Sequence, residues 1–240
     1  MRDKTYMLTA RLSSFMLSVV LMASSLLKAV NVHSFATEAV LFSDAYVSSA
    51  LAPFGLEIAC AVCALELFLS MLLLCGRFEL IASLLSFAML TFFVSLTGMN
   101  LFVPASIGSI ESCGCFGELI HFSPLGTFVK SVVLWCVSIM CLLALRKGVR
   151  FCGCARKARK GGYLCVLVFL LMSVVPPMFS LLCMERMNAE AYVSCYVVVC
   201  VAIISFAFGW IMPQVHKLLR IDDALLNRVR KGGEKTTKSE

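Results

Sequence analysis

The sequence predicts an all-α, polytopic membrane helix bundle with about six transmembrane helices. Hydrophobic residues make up 60% of the 240-residue chain and charged residues only 15%, whereas a soluble domain carries about 25% charged residues. A membrane-spanning helix needs about 20 mostly apolar residues, and six stretches meet that requirement. They lie at residues 7–30, 54–75, 79–103, 125–145, 163–184 and 191–212.

The first stretch, residues 7–30, could be mistaken for a secretion signal. It has no clear small-residue cleavage site, and its apolar run is long for the core of a signal peptide. We therefore interpret it as a retained transmembrane helix.

Lysine and arginine orient the spans. The loops at 31–53 and 104–124 contain neither residue, whereas the loop at 146–162 contains seven, and both ends of the chain are basic. By the positive-inside rule, both termini and the 146–162 loop are predicted to be cytoplasmic. The net charge of +7 then reflects orientation in the lipid bilayer rather than nucleic-acid binding. We expect a multi-pass protein of the bacterial inner membrane.

Two Cys-Gly-Cys motifs lie on opposite sides of the predicted membrane. Cys113 and Cys115 fall in the outer loop, where disulfides persist, and Cys152 and Cys154 fall in the basic cytoplasmic loop, where thiols stay reduced. Thiol–disulfide exchange needs an accessible thiolate and a nearby partner sulfur. We predict Cys113 and Cys115 to be the catalytic pair, with inert thiols or a structural disulfide as alternatives. For the inner pair, an ordinary cytoplasmic loop is the preferred interpretation.

Glu66 is the third candidate catalytic residue. It lies near the middle of the second span, in "ALELFLSMLLL", where a carboxylate costs about 2.5–3.5 kcal/mol. Such residues usually face the bundle interior and are often functional. Proton handling is therefore predicted, and the alternative is a protonated glutamic acid that only bonds neighbouring helices.

Other polar residues in the spans have simpler interpretations. Cys60 and Cys63 share a helix face with Glu66; packing is preferred there over an electron relay. Lys28 and Lys130, near span ends, are expected to snorkel towards the membrane surface.

Two local patterns concern helix ends. Ser123 followed by Pro124 predicts an N-cap and first-turn proline at the start of the fourth span. Apolar residues recur at helical spacing over 215–229 among basic residues, which predicts an amphipathic helix at the inner leaflet. Residues 231–240 are expected to be disordered.

The segments "LELFLSMLLLCGRFEL" and "SCGCFGELIHFSP" together resemble the MauE/DoxX-like redox-associated membrane proteins. The resemblance rests on Glu66, on the Gly-Arg turn at 76–77, and on the Cys-Gly-Cys-Phe-Gly-acid run at 113–118. The proline that often precedes the glutamate is missing, and the acid of the loop is Glu rather than Asp. The resemblance implies a four-helix core over residues 1–147, distantly like the vitamin K epoxide reductase bundle, and disulfide chemistry outside the cytoplasm.

Beyond that core, we assign residues 148–213 to the basic loop and two further spans, and residues 214–240 to the cytoplasmic amphipathic helix and tail. The favoured function is thiol–disulfide exchange with a periplasmic thioredoxin-like partner during maturation of secreted proteins. A quinone within the bundle is a candidate electron partner. The alternatives are a soft-metal transporter or chaperone, because 13 Cys and 13 Met supply soft ligands, and a non-catalytic membrane assembly subunit.

Overall fold

The computed structural model describes residues 2–75, 78–103, 123–151 and 162–209. In these residues it contains seven α-helices and no strand. Six of the helical segments are long and apolar enough to cross a membrane, so the predicted fold class is confirmed.

The helices follow one another with short connections. They are α1 Arg2–Val30, α2 Val32–Tyr46, α3 Gly55–Cys75, α4 Glu79–Phe102, α5 Pro124–Phe151, α6 Gly162–Cys183 and α7 Ala189–Gly209. A 3₁₀ helix, Ser49–Phe54, leads directly into α3. All except α2 correspond to the predicted spans.

Helix α2 occupies the segment that the sequence suggested was a loop. It begins after Asn31, whose side-chain oxygen accepts a hydrogen bond from the backbone N–H of Ser34 at 3.1 Å. At 15 residues it is too short to span a bilayer. It buries Phe35 and Phe42 and packs mainly on α3, so its stability comes from tertiary contacts.

Helices α1 and α3 form the centre of the bundle. The apolar segments that contain them are 56% and 61% buried, whereas each of the other four spans is at most 33% buried. Helix α1 packs against α3 and α5, α3 also packs against α6, and α4 packs against α5. The outward faces of the peripheral helices carry exposed apolar side chains such as Phe92, Leu143 and Leu182, as lipid contact requires.

The predicted start of α5 is confirmed. The helix begins at Pro124, and the Ser123 hydroxyl accepts a hydrogen bond from the backbone N–H of Gly126 at 3.2 Å. This arrangement satisfies one of the N–H groups that have no partner within a helix.

The chain divides into two compact units, Met1–Val201 and Ala202–Glu240. The first contains α1–α6 and most of α7. In the second, the described residues are the last turns of α7, up to Gly209. The predicted amphipathic helix at 215–229 and the tail at 231–240 lie outside the described residues, and the division at 147 and 213 stays a prediction.

Candidate functional site: a buried ion pair between α1 and α3

Glu66 lies near the middle of α3 and is only 1% exposed. Its Oε1 accepts a hydrogen bond from Lys28 Nζ, which lies 2.5 Å away. Lys28 belongs to the last turn of α1 and is also 1% exposed. The glutamate therefore faces the bundle interior, as its position predicted.

The expectation that Lys28 snorkels to the membrane surface is wrong. Its ammonium instead turns into the contact between α1 and α3, where the Glu66 carboxylate provides an opposite charge. Burying either charge alone is costly, and pairing offsets much of that cost. The sequence pattern did not indicate this partner.

Two aromatic rings complete the surroundings of the ammonium. Lys28 Nζ lies 5.2 Å from the centroid of the Phe35 ring and 5.1 Å from that of Phe93. Both distances are within the range of a cation–π interaction. Phe35 comes from α2, so the helix that the sequence did not predict contributes directly to this site.

Serine hydroxyls hold α1 and α3 together on either side of the pair. Ser18 Oγ donates to the carbonyl of Ser70 at 2.8 Å, and Ser25 Oγ donates to the carbonyl of Cys63 at 2.7 Å. Small polar side chains let two helix backbones approach closely and bond across the contact. The positions of Lys28 and Glu66 are therefore fixed relative to each other.

The last two spans fasten the C-terminal end of α1. Tyr192 donates its hydroxyl to the carbonyl of Val30 at 2.6 Å, and Tyr196 donates to the carbonyl of Leu26 at 2.7 Å. Ser180 of α6 also lies within bonding distance of the Val30 carbonyl, at 3.4 Å. The Val30 carbonyl is among the last four of its helix, which have no partner within that helix.

Two cavities flank the ion pair, and Lys28 and Phe93 line both. The larger has a volume of about 90 Å³ and mostly apolar walls between α2, α3 and α4, with Glu38 as a second charged residue. The smaller has a volume of about 20 Å³; Glu66, Lys130 and two serines are among the residues that line it.

The predicted cysteines fall into two groups. Cys113 and Cys115, and the inner pair Cys152 and Cys154, lie outside the described residues. Cys60 and Cys63 are free thiols within or against the apolar cluster beside Tyr192 and Tyr196, which supports the packing interpretation.

One thiol contact was not predicted. The sulfurs of Cys75 and Cys165 lie 3.6 Å apart between α3 and α6. Among the side chains that the structure describes, no three or more His, Cys, Asp or Glu residues form a group that could hold a metal ion.

This geometry defines a polytopic membrane protein with an ionisable site enclosed at the centre of its bundle. The family model for methylamine utilisation protein MauE matches residues 6–145. The match covers more than half of the chain, and the protein therefore belongs to the MauE family. Comparison with curated proteins and with solved structures found no match. The matched region includes Lys28 and Glu66 and ends within α5, so α6 and α7 lie beyond it.

Proposed function

We propose that the protein is a bacterial inner-membrane thiol–disulfide redox protein in which Cys113 and Cys115 exchange with a periplasmic thioredoxin-like partner. The observation that carries the proposal is the composition of the family region. Residues 6–145 contain both the close thiol pair and Glu66, whose carboxylate is buried against Lys28.

The proposed exchange conserves atoms and electrons. A thiolate of the Cys113–Cys115 pair attacks the disulfide of the partner and forms a mixed disulfide, which releases one partner thiol. The second cysteine then attacks the mixed disulfide. The products are a Cys113–Cys115 disulfide and a reduced partner, and the reverse sequence oxidises the partner.

Glu66 and Lys28 are proposed to handle protons for this chemistry. When an electron acceptor reoxidises the reduced thiol pair, two protons leave with two electrons. The buried carboxylate and ammonium can exchange a proton between them within the bundle. This role predicts that Glu66→Gln, which keeps the shape but cannot titrate, changes the pH dependence of partner oxidation.

Glu57→Gln is the matched control, because Glu57 lies on an exposed face of the same helix. A normal rate for Glu66→Gln at every pH tested would exclude proton handling by this residue while leaving thiol exchange intact.

A quinone fits the larger cavity. The walls are largely apolar, and Lys28 can donate a hydrogen bond to a carbonyl oxygen, while Phe35 and Phe93 provide flat apolar surfaces. Such a group would supply acceptance of two electrons and two protons. Lys28, Phe35 and Phe93 are the residues proposed to hold it.

Trapping of the covalent intermediate tests the exchange directly. Either Cys113→Ser or Cys115→Ser removes the resolving sulfur from one route, so a reducible adduct with a thioredoxin-like protein should accumulate after acid quenching. The double variant should form none, and Cys152→Ser should behave like the unmodified protein. If neither single variant forms an adduct, direct exchange is refuted.

The proposed orientation has its own test. In whole cells, a membrane-impermeant maleimide should label Cys113 and Cys115 only after reduction, and should reach Cys152 and Cys154 only once the membrane is opened. Single-pair variants, with the other pair changed to serine, give the mass shift for each pair. Labelling of the Cys152–Cys154 pair from outside would invert the topology and remove the basis for exchange outside the cytoplasm.

A further inference from the structure

We propose that the small cavity beside Glu66 is a binding site for a single water molecule, which bonds to the second oxygen of the carboxylate. The water would give the ion pair a proton-exchange partner. That role rests on the proposed function, whereas the site itself rests only on the arrangement of α1, α3, α4 and α5.

The first observation is the state of the carboxylate. Its Oε1 accepts from Lys28, but its Oε2 is buried and accepts no hydrogen bond from any residue that the structure describes. Leaving a buried polar atom without a partner costs about 1–3 kcal/mol, and more when the group is charged. A donor from solvent would remove this cost.

The second observation is the size of the cavity. Its volume is about 20 Å³, and one water molecule needs about 10–15 Å³ of such space. The cavity therefore has room for one water and is too small for a larger solute. Its remaining walls are apolar and include Leu21 and Leu90, so a water molecule would be held only at the polar side.

The third observation is the set of polar groups. A buried water typically makes two to four hydrogen bonds, and Ser24, Ser131, Lys28 and Lys130 all line the cavity together with Glu66. The Ser131 hydroxyl donates its proton to the Thr127 carbonyl at 2.9 Å, which leaves the Ser131 oxygen able to accept. A water can thus donate to Glu66 and Ser131 and accept from an ammonium.

This arrangement gives the water a defined chemical role. Lysine ammonium groups only donate, and an ionised carboxylate only accepts. Water does both, so it can pass a proton between the Glu66 oxygen and the ammonium side of the cavity. The proton would leave Glu66 without breaking the bond between Lys28 and Oε1.

X-ray radiolytic footprinting with mass spectrometry tests the site, because hydroxyl radicals formed from a bound water oxidise the side chains beside it. Leu21 and Leu90 line the cavity and are 2% and 3% exposed; Leu67, equally buried at 0%, does not line it and is the internal control. We expect oxygen addition at Leu21 and Leu90 and none at Leu67. The measurement uses the intact, unmodified protein in detergent or lipid.

A variant adds a second comparison. Ser131→Val removes one hydrogen-bonding partner and adds a methyl group, so oxygen addition at Leu21 and Leu90 should be lost, while Ser131→Thr should keep it. If Leu21 and Leu90 remain as unmodified as Leu67 in the unmodified protein, the cavity is dry and the proposal is overturned. If addition occurs but persists in a folded Ser131→Val variant, the assigned hydrogen-bonding site is wrong. Neither result depends on thiol exchange, so the two proposals can fail separately.

Discussion

Removing the ammonium of Lys28 is expected to destabilise the protein strongly. Lys28→Met keeps a similar side-chain length but leaves Glu66 without its partner. The two side chains are 1% and 2% exposed and lie 2.5 Å apart, so little solvent is available to compensate. Breaking such a buried pair typically costs about 3–5 kcal/mol, and we expect a loss of that order in the free energy of unfolding.

The double replacement should behave differently from the single ones. Exchange of a buried ion pair for apolar side chains of similar volume is often neutral or stabilising. We therefore expect Lys28→Met combined with Glu66→Met to be more stable than either single variant. Unfolding by SDS in mixed micelles, followed by circular dichroism, measures all three under one condition.

A matched control separates pairing from loss of a charge in general. Glu57 lies on an exposed face of α3, so Glu57→Met should change the free energy of unfolding by no more than about 0.5 kcal/mol. If the double variant is as unstable as the two single losses added together, the energetic coupling of Lys28 and Glu66 is refuted. The same holds if Lys28→Met matches the control.

Three further changes probe contacts around this site, each measured by the same unfolding titration. Tyr196→Phe keeps the ring but removes the hydroxyl that donates to α1 at 2.7 Å, and should cost about 1 kcal/mol; no change would mean that the bond contributes nothing. Trp135→Phe removes the Nε1 donation to Thr91 Oγ1 at 2.9 Å and should cost a similar amount, which Thr91→Val should not increase further. In Gly55→Ala, the added methyl would collide with Val40 Cγ2, so we expect a cost of about 1–3 kcal/mol that Val40→Ala relieves; a stable single variant without that relief would contradict the packing.

The features that the sequence predicted well depend on single segments. Each span is recognisable from its own hydropathy, and the burial of Glu66 follows from its position within one such span. The capped start of α5 depends only on Ser123 and Pro124. None of these inferences needs information about which helices are neighbours.

The partner of Glu66 could not be predicted in this way. Lys28 lies 38 residues away in the chain, and whether it meets Glu66 depends on the neighbours and rotation of α1. A lysine near a helix end looks the same whether it snorkels or turns inwards.

Helix α2 was missed although a signal was present. Val32, Phe35, Ala36 and Phe42 recur at helical spacing after Asn31, a favoured N-cap residue. The segment was judged as a connection because it is too short to span a bilayer. The seven-helix arrangement therefore required the tertiary contacts of Phe35 and Phe42 to become apparent.

The hydroxyl bonds from α7 to α1 have a consequence for biosynthesis. Tyr192 and Tyr196 lie 162 and 170 residues after the carbonyls that they bond. At a synthesis rate of about 5–20 residues per second, roughly 8–35 s separate the first helix from its last donors. During that interval, other groups must cover the exposed Val30 carbonyl at the end of α1. The helix that carries Lys28 is thus among the first to leave the ribosome and among the last to reach its final packing.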